Sequence, residues 1–461
     1  MEECQNKRRA MAPFSPGRTV PPATACGVIA LVLAILSPIV KPGESIDIVW
    51  HDAVEVATGE AHAGPWRMNE SDFRYVDDAS VALQQDGMAA VVWADQEQQD
   101  VFLQRYDRDG EPQLDAPTNV SRSGDTFSWL PRVLMAANEP DTVYVLWQEI
   151  IFSGGTHGGE ILFARSQDTG ETFSEPVNLS KTQNGAGKGR LTARRWDNGS
   201  LDLAEGPDGE VWTTWTEYEG RLRISRSSDG GRTFAEPKHI AGSGDLPTRA
   251  PSIAVDDDGK VHLAWTVGED PTADIRYTIF DSRDESFQAP RTVDVTGGHA
   301  DAPKLAVDDN GIVHLVYAES PDGPWQRAHI RYTLARAGEP FRAPEDISTA
   351  HTEQFASVGF PSLAISGDDL YVLWELFPGL GHRSRGLGMT RLTDDGDRFA
   401  AAEIVPHSGQ SDPGFNGSRQ GMLMRKLAVN DAGDIAVVNS TFQQGERSFV
   451  RLIRGHLNTG I

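Results

Sequence analysis

Arginines gather in the stretches that lead into the apolar segments of this chain. Arg74 stands in FRYV, Arg132 follows SGDTFSWLP, Arg195 lies in SKTQNGAGKGRLTARRWDNGS, Arg249 in GDLPTRAP and Arg419 in NGSRQGMLMRKL. A guanidinium offers a planar fork of donors that meets a carboxylate bidentately. Several of them sharing one hollow would form an anion site suited to a sugar acid or another carboxylated ligand. The competing outcome is that each arginine pairs with a loop acid such as Asp197, Asp245 or Asp301. Acids recur where other apolar segments end, in Trp147-Gln148-Glu149, Trp215-Thr216-Glu217, Tyr317-Ala318-Glu319 and Trp374-Glu375, with Trp93-Ala94-Asp95 earlier. An acid repeated at one position bonds the backbone of a neighbouring loop. A ring of such acids could instead hold a cation such as Ca²⁺, but no EF-hand-like spacing accompanies it. No metal ligands are assigned and no cofactor is expected. Glu217 is the most suggestive of these acids, because Tyr218 follows it in WTEYEG.

The elements that would position these groups repeat along the chain. PSIAVDDDGKVHLAW (Pro251 to Trp265) matches PKLAVDDNGIVHLVY (Pro303 to Tyr317). Looser copies begin at Ser80, Pro131, Ser200, Pro361 and Lys426, which makes seven starts. Each copy reads as an apolar strand, an Asp/Asn-Gly turn and an alternating strand such as VHLAW. A third strand follows (ILFARS, LRISRS, DIRYTI, HIRYTL), then a fourth introduced by Phe-x-x-Pro. Four strands per unit at this period mark an all-β fold, a β-propeller of four-stranded blades. Seven blades are favoured, with six as the alternative if the weakest copy is not a blade. The last copy shows about three strands, and SIDIVWHDAVEVATG (Ser45 to Gly59) is placed to supply its outer strand and close the ring.

Between strands three and four lies SQDTGETFSEP (Ser166 to Pro176), and again SSDGGRTFAEP (Ser227 to Pro237). Both contain Ser-x-Asp-x-Gly-x-Thr-Phe, on Ser166, Asp168, Gly170 and Phe173, and on Ser227, Asp229, Gly231 and Phe234. A remnant, DDGDRF, keeps Asp394, Gly396 and Phe399. Ser and Asp side chains can bond turn backbone, Gly accepts a positive φ and Phe plugs a core. The motif resembles the Asp box, or BNR repeat, of the sialidase superfamily. That resemblance implies a propeller with structural boxes on its periphery and a substrate site on another face. There, three arginines hold the substrate carboxylate, a tyrosine activated by a glutamate is the nucleophile, and an aspartate is the acid/base. Carried over, these roles fall on the arginines named above, on Tyr218 with Glu217, and on Asp100. The family's Phe/Tyr-Arg-Ile-Pro is represented only by FRYV, which keeps the arginine, and its Ala-Phe-Ala-Glu/Asp-x-Arg by VWADQE, which lacks it.

The chain has 461 residues, is 39% hydrophobic and carries a formal charge of −25. It can bury a large core, and its charge excludes nucleic acid and anionic lipid as main partners. Its two cysteines, Cys4 and Cys26, precede the repeats. Lys7 to Arg9 and Arg18 lead into an apolar run, Ala23 to Val40, which reads as a signal peptide or signal anchor, an N-terminal hydrophobic helix. The organisation is therefore 1–44 for export or anchoring and 45–461 for the propeller. Two functions stand open: an exported propeller that binds glycan, another carboxylated ligand or a protein on its arginine-bearing face, and an exo-sialidase-like hydrolase.

Overall fold

The computed structural model describes residues 46–151, 159–182, 184–281, 286–293, 298–336, 338–367, 369–392, 398–409, 415–416 and 423–458. The expected N-terminal helix, Arg419, and Asp394 and Gly396 of the third turn lie outside them. Alternating strands separated by Gly turns have paired into seven antiparallel sheets, the blades of one propeller. The inner strands, in order, are Val76–Leu83, Ser128–Met135, Leu201–Glu205, Thr248–Val255, His299–Val307, Ser357–Ser366 and Leu427–Val429. In blade two, Val143–Glu149 and Glu160–Ser166 follow outward, and Val177–Asn178 forms the edge. The other blades repeat this scheme. The described helix content is a single short turn, Thr349–Thr352.

Ring closure follows the expectation from Ser45 to Gly59. Ile48–Trp50 and Val54–Glu60 pair antiparallel with Arg447–Leu457, the third strand of blade seven. Chain from before the first blade thus completes the last one, and Arg447–Leu457 has no open edge.

Each second strand ends in a large side chain that fills the space between sheets. Trp147, Trp215, Trp265, Trp374 and Tyr317 are all at most 1% exposed. On the face carrying the Asp/Asn-Gly turns, here the lower face, blades four and five repeat one polar pin. His262 lies 2.6 Å from the Tyr277 hydroxyl and 3.0 Å from Asp256. His314 lies 2.8 Å from the Tyr332 hydroxyl and 3.5 Å from Asp308.

Both full Ser-x-Asp-x-Gly-x-Thr-Phe turns join strands three and four of their blades. In each, the serine hydroxyl donates to the aspartate at 2.7 Å and accepts the glycine N–H at 2.8 Å. Asp168 also accepts the Thr172 N–H at 2.9 Å, and Asp229 that of Thr233 at 2.9 Å. Gly170 has φ +91°, and a Cβ there would lie 2.7 Å from Leu103 of the preceding blade; Gly231 has φ +77° and meets Phe163 in the same way. The turns therefore close a blade and lean on its neighbour. Hydrogen bonds from Thr233 and Ser227 hold the Asp229 carboxyl well below the usual range. Burial raises Asp168, but bonds from Thr172 and Ser166 outweigh it. A depressed folded pKa contributes stability that is present above the unfolded value near 4 and lost as pH falls through the folded value. Asp168→Asn with Asp229→Asn should cost about 1 kcal/mol per turn at pH 7. The difference in Tm from the parent should narrow progressively as pH falls below about 4, as measured by thermal unfolding from pH 7 downward.

The inner strands share a further device. Their pairing with the second strands slips by a residue in blades one, two, four, five and six. The residue at the slip takes a positive φ: Asp78, Leu130, Ala250, Ala302 and Phe360, at 49° to 57°. Each is one β-bulge that bends the strand where it reaches the axis and re-aims the side chains on either side.

Candidate functional site on the upper face

The upper face carries the loops that lead into inner strands and leave second strands. Among the described residues the exposed large hydrophobics are Val49, Trp66, Trp196, Leu246, Trp325, Leu380 and Ile404. Five of these, Trp66, Trp196, Leu246, Trp325 and Leu380, sit in upper-face loops.

The long loop before blade three folds into a hairpin, Lys188–Thr192 with Arg195–Asn198. Gly189 makes its docking possible, because a Cβ there would lie 2.5 Å from Cβ of Arg249. The Arg190 guanidinium pairs with Glu269 at 2.6 Å, and the Asp270 N–H donates to the Leu191 carbonyl at 2.9 Å. The hairpin is thereby clamped to the loop leaving the second strand of blade four.

Beneath it lies a charged cluster. Arg249, 2% exposed, donates from Nε to Asp301 at 3.0 Å, and to the carbonyls of Gly268 at 2.6 Å and Arg190 at 3.3 Å. Its Nη2 lies 2.9 Å from Asp301 and 3.1 Å from His299 Nε2, which is also 3.0 Å from Asp270. Asp301 accepts further from the Thr266 hydroxyl at 2.8 Å. Burial pushes Asp301 up, but Arg249 and His299 outweigh it and hold the carboxyl below its ordinary value. Asp197, opposite Gly189 in the hairpin, goes the other way. Burial, reinforced by the charge of Asp301 and opposed by the Asn198 N–H, brings it to about 6. One acid of this pair holds its proton up to about pH 6 and the other is ionised well below that.

Aromatic surfaces flank the cluster. Trp196, 39% exposed, donates from Nε1 to the Tyr218 carbonyl at 2.8 Å. Trp325, 55% exposed, is covered on one side by the Arg195 guanidinium, 4.2 Å from its ring centre. Lys188 lies 5.4 Å over the Tyr218 ring.

The structure distributes the residues expected to act as follows. Arg249 reaches the cluster and Arg195 its rim. Arg132 is fully buried at the axis, where Nη1 donates to the carbonyls of Leu130 and Pro131, each at 3.1 Å, and Nη2 to those of Gly199 at 2.9 Å and Leu423 at 2.7 Å. Arg74 pairs with Glu60 at 2.8 Å and Asp72 at 3.2 Å. Glu217 is held by Arg223 at 3.0 and 3.3 Å. Burial pushes the Tyr218 hydroxyl up, and it bonds Gln148. Asp100, on blade one, accepts from Asn119, Ser121 and Ser123 at 2.6 to 2.8 Å. The acids ending the second strands are likewise engaged locally: Glu149 with Ser128 and Trp147, Glu319 with Arg331, and Glu375 with Lys426. Reading the sequence for charge missed Trp196 and Trp325 as platforms. The signal available was a Trp within two residues of an Arg in a loop, in RRW and again in PWQR. Among the described residues no cluster of His, Cys, Asp and Glu could hold a metal ion, and no helix is long and apolar enough to cross a membrane.

No protein-family model matches the chain, and no curated protein matches it significantly. The chain is similar to several solved structures. A polysaccharide lyase, Uly1, superposes with TM-score 0.50 at 10% identity, over 88% of this chain and 99% of its own. The GH93 α-L-arabinofuranosidase of Fusarium graminearum gives 0.47 at 15% identity over 71% and 92%. A Hadza microbial sialidase gives 0.42 at 12% over 81% and 74%. At such identities the likeness is one of fold. The protein is a seven-bladed β-propeller of four-stranded blades.

Proposed function

We propose that the protein is an exported propeller that binds glycan on the upper face, between the Lys188–Asn198 hairpin and the Trp325 loop. The apolar run Ala23 to Val40 would carry it out of the cytoplasm. The observation that carries the reading is the placement of two exposed indoles, Trp196 and Trp325, around a cluster of carboxylates and guanidiniums. Sugars present an apolar C–H face that stacks on an aromatic ring and hydroxyls that bond charged groups, and this pairing of surfaces suits both. Arg132 is fully buried and the donors of Arg249 are already taken up by protein groups, so a carboxylate on the ligand would meet the exposed Arg195 instead. A glycan array probed with the full chain tests this. Binding of neutral or acidic glycans should fall at least about tenfold in Trp196→Ala and in Trp325→Ala, the scale of a lost stacking contact. An array on which the parent binds nothing, or on which both variants bind as the parent does, would overturn it.

A second reading, cleavage of a glycosidic bond, is favoured by the split acidities of Asp197 and Asp301. Two carboxyl groups driven apart in pKa are suited to proton donor and ionised partner respectively. In this reading Asp197 protonates the leaving oxygen and Asp301 acts as the anionic partner, in place of Tyr218, Glu217 and Asp100. Turnover of an aryl glycoside would then fall above about pH 6, as Asp197 loses its proton, and Asp197→Asn would remove that limb.

A further inference from the structure

Setting the seven inner strands in register brings one residue of each to the same position, two after the bulge where one is present: Ser80, Arg132, Asp202, Ser252, Lys304, Ser362 and Lys426. All seven are polar, and none is more than 7% exposed. Six hydrogen-bond or pair within the protein. The Ser80 hydroxyl donates to the Pro131 carbonyl at 2.8 Å, and Ser362 to that of Met424 at 3.3 Å. Ser252 accepts the Leu305 N–H at 3.1 Å, and Lys426 pairs with Glu375. Asp202 accepts from Arg425 Nε at 2.9 Å and from the Ile253 N–H at 3.3 Å, and both Nη atoms of Arg132 donate to carbonyls. Lys304 is the exception: among the described residues its ammonium makes no hydrogen bond and no ion pair, although the residue is only 7% exposed.

Lys304 lines an axial cavity of about 390 Å³ walled by the inner strands of all seven blades. The cavity runs from this polar ring toward the lower face, past Leu83, Met135, Glu205 and Val255. On the upper side a plug of Ala250, Ala302, Leu423 and Phe360 stands over the axis. The charged groups facing Lys304 come from across the ring: Arg132 of blade two, Asp202 of blade three and Arg425 ahead of blade seven, with Glu205 further along the wall. Around the ammonium stand two guanidiniums and one near carboxylate, and that carboxylate is already bonded to Arg425. A buried charge without a counter-ion is costly. With Glu205 also on the wall, Lys304, Arg132 and Arg425 outnumber the two carboxylates by one, in a chain whose net charge is −25, and this local excess suits an anion.

We propose that this cavity binds a small oxyanion, a carboxylate, sulfate or phosphate group, which accepts the hydrogen bonds that Lys304 donates to no protein atom. The site is independent of the upper-face reading. Burial lowers Lys304 to about 8, with Asp202 opposing and Arg132 and Arg425 adding to the fall. A bound anion favours the charged ammonium, so binding at pH 8 takes up protons, and above pH 8 the affinity falls by about tenfold per pH unit.

Calorimetric titration of the full chain with sodium sulfate, acetate and phosphate tests the proposal. It is done at fixed ionic strength set with chloride, from pH 7 to 9, in two buffers of different ionisation heat. The expected result is saturable binding of at least one of the three anions beyond chloride, with proton uptake at pH 8. Lys304→Met should weaken binding at least about tenfold. Lys304→Arg should retain it without proton uptake, since a guanidinium stays charged throughout this range. Binding indistinguishable from chloride, or unchanged in Lys304→Met, would overturn the proposal. Should Lys304→Met fail to fold, the decision falls to the parent protein: saturable binding without proton uptake at pH 8 overturns it equally.

Discussion

Arg132→Met is expected to destabilise the ring by about 3–5 kcal/mol, the cost of stripping a buried charged donor from its acceptors. The guanidinium bonds carbonyls of Leu130 and Pro131 in blade two, of Gly199 at the start of blade three and of Leu423 ahead of blade seven. With none of its surface exposed, water cannot take over those acceptors when the side chain is cut back. Burial already lowers Arg132 to about 10, so it remains charged at neutral pH and its loss also removes a cation facing Asp202. The measurement is urea unfolding, with the midpoint moving down at unchanged slope. An unchanged midpoint accompanied by lost glycan binding would show Arg132 to be a ligand contact and not a clamp.

The largest effect is expected from removing the closing strands. Deleting residues 48–60 strips the partners from Arg447–Leu457, whose register runs from Leu457↔Ile48 to Arg447↔Glu60. The third strand of blade seven would then present a long unpaired edge, and such an edge templates association between chains. Val54, Val56 and Ala57 would also leave the cluster they share with blades one and seven. The deleted chain should lose its cooperative thermal transition and elute as aggregate on size exclusion. Adding the missing segment as a peptide should recover part of the monomer. A monomeric deletion variant with the parent's Tm would show that the ring does not depend on this seam.

Much of this architecture was legible in the sequence because propellers are built from local repeats. Seven starts, the Asp/Asn-Gly turns and the segment from Ser45 all depend on patterns of a few residues. The fate of the arginines was not legible in the same way. Sequence places Arg132 and Arg249 at the upper ends of inner strands, but the bulges at Leu130 and Ala250 decide where they aim. Arg132 turned to carbonyls, and Arg249 to Asp301 and Gly268. Trp196 and Trp325 carry no periodicity, so only their place near an arginine in a loop set them apart. Lys304 hid for another reason: in PKLAVDDNG it is one polar residue in an apolar strand, and only alignment of all seven starts sets it beside Asp202 and Arg132.

The polar belt at the axis has a consequence for how the ring came to be assembled and how it can be altered. Tandem duplication makes identical units, and identical units could associate in any order or number. Here the seven positions carry Ser, Arg, Asp, Ser, Lys, Ser and Lys, and most reach across to a particular neighbour: Ser252 to Leu305, Asp202 to Arg425, Lys426 to Glu375. Units so differentiated have lost their interchangeability. Cutting the circle at a new point and joining the old ends would preserve every such match, whereas exchanging two blades would strand charges at the hub.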